Sequence, residues 1–259
     1  MFLHNKKLMY TVRADEPNPE FARMVLEQFG GPNGELAAAL RYFTQGWNET
    51  DAGRRDMLLD IATEELSHLE MVGQLLVQLL RGSPGQMLDE VEGGYLGEMM
   101  NGDGENYVSL ALNSGATILG GGGPRLTDSH GNPFTAAYVD TLGHPEADLR
   151  SDIAAEARAK IVYERLIKCC DDPGAQDTLT FLMTREIAHA KMFEAALAEI
   201  TGNFPPGNIP GDEKIAHLYF DDSTNGAKKS PGFELANKGD FGFELESDPV
   251  ASAPKEGGL

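Results

Sequence analysis

Two stretches of this chain place glutamate and histidine in the middle of otherwise apolar helical stripes, and both use the same spacing. From about residue 53 to 81 the inward positions read Leu58, Ile61, Glu65, His68, Val72, Leu75 and Leu79. From about 173 to 201 they read Leu179, Leu182, Glu186, His189, Phe193, Ala196 and Ile200. Steps that alternate between three and four residues mark one buried face of an α-helix. Positions i and i+3 share that face, so each Glu-x-x-His pair points inward together. Burying such groups without partners costs on the order of several kcal/mol each. A cation removes that cost for carboxylates and imidazoles at once.

The two stretches are copies. An offset of 121 residues carries Glu35 onto Glu156, Tyr42 onto Tyr163, Glu65 onto Glu186 and His68 onto His189, and it also carries Leu58 onto Leu179. Within each copy a glutamate on a weaker helix precedes the Glu-x-x-His by 30 residues. The repeated unit is an αα-hairpin with one Glu on its first helix and Glu-x-x-His on its second. A single Glu-x-x-His is common as a surface ion pair. Two copies at matched positions on core stripes give the ligand set of a dinuclear centre in a four-helix bundle. Tyr42 and Tyr163 fall near the same face, where core packing and a hydrogen bond to a ligand explain them equally well.

Punctuation supports this reading. Asp172 followed by Pro173 forms an N-cap and first-turn pair, Gly82 and Pro84 stop the helix before them, and Gly202 closes the last one. The weaker helices are expected over about 33–49 and 145–170, with an upstream amphipathic piece over about 19–29. Residues 82–143 then serve as a long crossover between the halves. Its Gly120-Gly121-Gly122-Gly123-Pro124 run lacks the Lys-Ser/Thr of a phosphate loop. The fold expected is all-α, a ferritin-like four-helix bundle over 1–202. An extended tail over 203–259 has scattered aromatics and no helical period, and it is expected to pack on neighbouring subunits.

Composition narrows the function. With 21 Lys and Arg against 41 Asp and Glu the formal charge is -20, a surface that repels nucleic acid and anionic membrane. No stretch has the apolar length of a membrane span, and the first twelve residues lack the apolar core of a signal peptide. The only cysteines, Cys169 and Cys170, are adjacent, which excludes a Cys-x-x-Cys metal site and fits free thiols in a reducing cytoplasm. His4, His130, His144 and His217 have no helical partners and read as loop or surface residues.

On the blocks MFLHNKKLMY, GGPNGELAAALRYFTQGW, DIATEELSHLEMV, GNPFTAAYVDTLGHPEADLR and FLMTREIAHAKMF, in that order, the chain closely resembles the manganese catalase family over roughly residues 1–225. It also resembles a spore-coat branch of that family. The resemblance implies two manganese ions per chain. Glu35 and His68 would be terminal ligands of one ion, Glu156 and His189 of the other, and Glu65 would bridge them. It implies that Glu186 is an acid/base beside the metals rather than a ligand, which breaks the symmetry of the duplication. It further implies a homohexamer and, in some members, a calcium ion whose ligands match Asp56 and Asp60 by position; a solvated acidic face explains those two as well. Some members carry an Arg that gates the channel where this chain has Ala155. The activity implied is disproportionation of hydrogen peroxide to water and dioxygen. Carboxylate and imidazole suit iron and manganese alike. A di-iron oxidase or peroxidase therefore stands as the alternative by chemistry, and a low-activity coat-type protein as the alternative by family.

Overall fold

The computed structural model describes residues 6–81, 123–200, 206–209 and 211–212. The chain divides into two compact units, Met1–Gly202 and Asn203–Leu259. Of the second, the described residues make a bend at Gly207, whose φ of +113° suits glycine.

The first unit is built from α1 (Pro19–Gly30), α2 (Glu35–Asn48), α3 (Ala52–Leu79), α4 (Pro145–Lys168) and α5 (Pro173–Glu199), with one 3₁₀ turn at Ala136–Tyr138. Helix starts follow local chemistry. Asn18, Asp51 and Asp172 each accept a hydrogen bond from a first-turn N–H, at Phe21, Arg54 and Ala175 respectively. Pro19, Pro145 and Pro173 occupy first-turn positions, where no N–H is required. Helix α3 stops at Leu79, before Gly82; Gly82, Pro84, most of the expected crossover and nearly all of the expected tail lie outside the described residues. Within 123–143 the chain makes one bridge, Thr127 with Pro133, and contains no strand.

Helices α2 and α3 pack as one hairpin and α4 and α5 as the other. The buried side chains form two apolar clusters. One gathers Val72, Leu75, Leu76, Leu79, Leu166, Leu179 and Leu182 with Phe21 and Val25 of α1. The other gathers Tyr42, Leu58, Ile61, Leu149, Phe193 and Ala196. On α3 the first residues of the stripe belong to the second cluster and the last to the first; on α5 the order is reversed, as in an antiparallel arrangement. Glu65, His68, Glu186 and His189 therefore lie between the clusters, buried to the last few square ångströms. No described helix is long and apolar enough to cross a membrane.

Candidate metal centre

Helix α2 begins at Glu35, with Gly34 before it in an extended conformation. A Cβ on Gly34 would stand 2.5 Å from the Gln28 carbonyl oxygen. Glycine therefore lets the start of α2 press against α1, and it sets the Glu35 carboxylate at a helix N-terminus, where negative charge is favoured. Glu156 sits mid-way along α4 with Ala155 buried beside it. Glu65 with His68 and Glu186 with His189 come from α3 and α5.

The four helices bring together the six residues singled out in the sequence. Two groups of donors form, Glu35, Glu65, His68 and Glu186 in one and Glu65, Glu156, Glu186 and His189 in the other, each with its donor atoms within 4.8 Å of one another. Glu65 and Glu186 belong to both. Glu65 lies centrally: Oε2 is 2.9 Å from His68 Nδ1 and Oε1 is 2.9 Å from His189 Nδ1. The first contact is a hydrogen bond and the second is not, because His189 Nδ1 and Glu65 Oε1 lack the alignment for one. The two imidazoles stack with centroids 5.6 Å apart.

The tyrosines hydrogen-bond reciprocally across the duplication. Tyr42 of α2 donates to Glu156 Oε1 at 2.6 Å, and Tyr163 of α4 donates to Glu35 Oε1. Both hydroxyls are held above their ordinary titration range by burial and by the carboxylates beside them. Each fixes one carboxylate oxygen and leaves the other, Glu35 Oε2 or Glu156 Oε2, without a partner.

Charge is unevenly held. Burial and then the Glu65 charge push Glu35 up to about 7 and Glu156 up to about 8. Burial and the surrounding carboxylates also push Glu186 well above the usual carboxylate range. Burial acts on Glu65 in the same direction, but the two histidines outweigh it and hold Glu65 below the usual carboxylate range. Burial likewise opposes charge on the rings, yet the facing carboxylates raise His68 and bring His189 up to about 9. Protons thus do in part what a cation would do. Glu35 Oε2, Glu65 Oε1, Glu156 Oε2, Glu186 Oε1 and His189 Nδ1 remain buried without hydrogen-bond partners. Hard oxygen donors with one imidazole nitrogen in each of two groups that share two carboxylates fit a pair of divalent cations.

One residue of the site was not singled out from sequence. Glu64 faces the outer nitrogens of both rings, with Oε1 3.4 Å from His68 Nε2 and Oε2 3.4 Å from His189 Nε2. Arg185 holds Glu64 from the other side, Nε to Oε1 at 2.6 Å and a terminal nitrogen to Oε2 at 3.3 Å. The His189 and then the His68 imidazole close by, and the hydrogen bonds from Arg185, keep Glu64 ionised well below the usual range. Glu64 and Arg185 are themselves related by the offset of 121 residues. The signal was present as opposite charges at matched positions beside Glu65 and Glu186.

Asp56 and Asp60 lie exposed on α3, and neither joins a donor group of three among the described residues. His130 is exposed and stands with Glu27 and Asp128 in a third, partly exposed group. Cys169 is exposed and Cys170 buried, and both are free thiols.

The sequence profile described as manganese containing catalase matches residues 1–252. The chain is 37% identical to the probable manganese catalase of Clostridium acetobutylicum, covering 87% of this chain and 92% of the relative. It is 38% identical to protein CotJC of Bacillus subtilis, covering 76% of this chain and 93% of the relative. Among solved structures it is similar to wild-type KatB, a manganese catalase from Anabaena, at a TM-score of 0.71 and 39% identity, covering 89% of this chain and 95% of the other.

Proposed function

We propose that this chain, which belongs to the manganese-containing catalase family, disproportionates hydrogen peroxide to water and dioxygen at the centre described above. The observation that carries the reading is the pair of buried donor groups sharing Glu65 and Glu186, with carboxylate and imidazole atoms that have no hydrogen-bond partner in the protein. Glu35 and His68 would hold one manganese ion, Glu156 and His189 the other, and Glu65 both. The ion pair would supply a two-electron couple and orient the peroxide.

The protein's own part is positional and protic. Tyr42 and Tyr163 hold one oxygen each of Glu156 and Glu35, so the free oxygen of each faces the centre. Glu64 stands 3.4 Å from both outer histidine nitrogens, a carboxylate that favours a proton on each Nε2 and so leaves the Nδ1 lone pairs inward. Glu186 is the proton carrier. Burial favours its neutral form, and its unpartnered Oε1 faces the donor groups, within reach of a bound substrate. Tyr42, Phe193, Ile61 and Leu182 surround the centre with apolar surface that excludes larger reductants.

The same reading includes a homohexamer in a reducing cytoplasm, with calcium at Asp56 and Asp60. The family resemblance and the two free thiols support assembly and compartment. A structural protein of low turnover is the second reading, favoured by the likeness to protein CotJC.

The test is oxygen evolution from hydrogen peroxide with no added electron donor, on the wild type and on Glu186→Gln. The wild type is expected to release one dioxygen for every two peroxides. The variant should keep its manganese but lose on the order of 10²–10⁴ in turnover, the usual contribution of a positioned acid/base. Unchanged turnover removes Glu186 from the mechanism. No turnover in a manganese-loaded wild type selects the structural reading.

A further inference from the structure

The internal duplication provides a control within one molecule, because each side chain of one half can be set against its counterpart in the other. Beyond the rung formed by Tyr42 and Glu156, helices α2 and α4 carry a second one, in which Gln45 Nε2 donates to Asp152 Oδ1 at 2.8 Å. Tyr42 and Gln45 are i and i+3 on α2, and Asp152 and Glu156 are i and i+4 on α4, so the rungs follow one another along the same pair of faces. The counterparts of Gln45 and Asp152 at the offset of 121 are Leu166 and Gly31. Beyond the rung formed by Tyr163 and Glu35 there is thus no second polar pair. Leu166 belongs instead to the larger apolar cluster, among Leu75, Leu79, Leu179 and Leu182. The buried Gln28 near that end donates to the Ala159 carbonyl, and its own Oε1 has no hydrogen-bond partner.

Asp152 is fully buried, and its Oδ2 has no hydrogen-bond partner; neither has Gln45 Oε1. A buried acid and amide with two orphaned oxygens cost stability unless something polar passes or rests beside them. Next to Gln45 lies a cavity of about 20 Å³, the room of a single water, lined also by Asn48, Leu58, Gly143, Asp148 and Leu149. Asn48 and Gly143 are exposed while Gln45, Leu58, Asp148 and Leu149 are buried, so the lining runs from surface to interior. Asp148 is one turn before Asp152 on α4 and accepts the N–H groups of Leu142 and His144, which holds the lip of the cavity in place.

Given the catalase reading, we propose that this cavity and the Gln45–Asp152 pair form the route by which small uncharged polar molecules, water and hydrogen peroxide, pass between solvent and the dinuclear centre. Beyond Tyr163 the matching position is the apolar Leu166, which offers such molecules no hydrogen bond. Molecules of this class exchange hydrogen bonds with the free Asp152 and Gln45 oxygens and are next received beside Tyr42 and Glu156. The route admits nothing bulky, because its volume is that of one water and Leu58 and Leu149 wall it.

The test gives this end of the bundle the apolar character that Leu166 has at the other. Gln45→Met with Asp152→Leu removes both members of the pair, a change that leaves stability nearly neutral when the replacements match in shape. In the manganese(II) protein two quantities are measured, kcat/KM for hydrogen peroxide and the enhancement of solvent-proton relaxation by the bound ions, which reports water exchange without turnover. With manganese content unchanged, both are expected to fall about tenfold, since a polar solute must then cross an apolar neck. Full manganese content with both quantities at wild-type values overturns the proposal. Should the double variant lose its metal, Gln45→Met alone, which leaves every carboxylate in place, is read the same way: the expected result is a fall in both quantities, and wild-type values overturn the proposal. A wild type that takes up no manganese refutes the catalase reading instead, and that outcome is seen in the control sample.

Discussion

Replacing Glu64 by glutamine tests how the two histidines proposed to hold manganese are oriented. Each ring is wholly buried, and the Glu64 oxygens at 3.4 Å are the polar atoms facing both Nε2 positions. A carboxylate accepts from both rings, so both can carry their proton on Nε2 and keep Nδ1 free for a cation. An amide can accept at one end only. Arg185 approaches Oε1 at 2.6 Å and Oε2 at 3.3 Å, so the amide oxygen settles on the Oε1 side, facing His68. His189 then meets an N–H₂ group and is driven to the tautomer with its proton on Nδ1, pointing at the site. Loss of an outer partner of this kind costs 10–100-fold in metal affinity, about 1.4–2.7 kcal/mol. Because one ring keeps its acceptor, the loss falls on one ion. A competition titration of the Glu64→Gln protein with manganese(II) against a chelator should show one ion at wild-type affinity and one weakened on the order of 10–100-fold. Two ions with unchanged affinities would refute the role given to Glu64.

Two further outcomes follow from buried groups elsewhere. Burial raises Asp152 from 3.8 to about 8, so the folded protein keeps a proton there that the unfolded chain gives up near pH 4. Its contribution to stability is present at acid pH and is lost as pH rises toward about 8, at up to about 1.4 kcal/mol per pH unit; the urea midpoint of metal-free Asp152→Asn should be flatter over that window than that of the wild type, and parallel curves would count against a neutral Asp152. Gly34→Ala puts a methyl group 2.5 Å from the Gln28 carbonyl oxygen and forces α1 and α2 apart; a loss of about 1–3 kcal/mol in thermal unfolding is expected, and an unchanged Tm would mean that the approach of the two helices relaxes freely.

Much of this centre could be read from the sequence because helical period and internal repetition are properties of the chain itself. The three-four stripe places Glu65, His68, Glu186 and His189 on buried faces, and those helices form over Ala52–Leu79 and Pro173–Glu199, within two residues of the expected bounds. The weaker helices were legible for a related reason: Glu35 and Glu156 stand at the same distance before each Glu-x-x-His. Tyr42 and Tyr163 were undecided between packing and hydrogen bonding, since a residue's partner on another helix leaves no periodic trace, and both turn out to donate to a carboxylate of the opposite half. Glu64 was missed because a charge one position off the buried stripe resembles a solvated face; only the packing of α3 on α5 brings it under both rings. The Gln45–Asp152 pair was hidden likewise, since its meaning depends on the absence of a counterpart at Leu166 and Gly31. Apolar pattern located the helices, whereas the asymmetry between the halves appears only when the two are folded against each other.

The measurement closest to the central claim is elemental analysis of the purified protein with dioxygen release recorded on the same sample. Two manganese per chain, with one dioxygen from every two peroxides, is the result expected of a dinuclear centre built by Glu35, Glu65, His68, Glu156 and His189 and served by Glu186. Two iron per chain, with peroxide consumed and no dioxygen evolved, would contradict it.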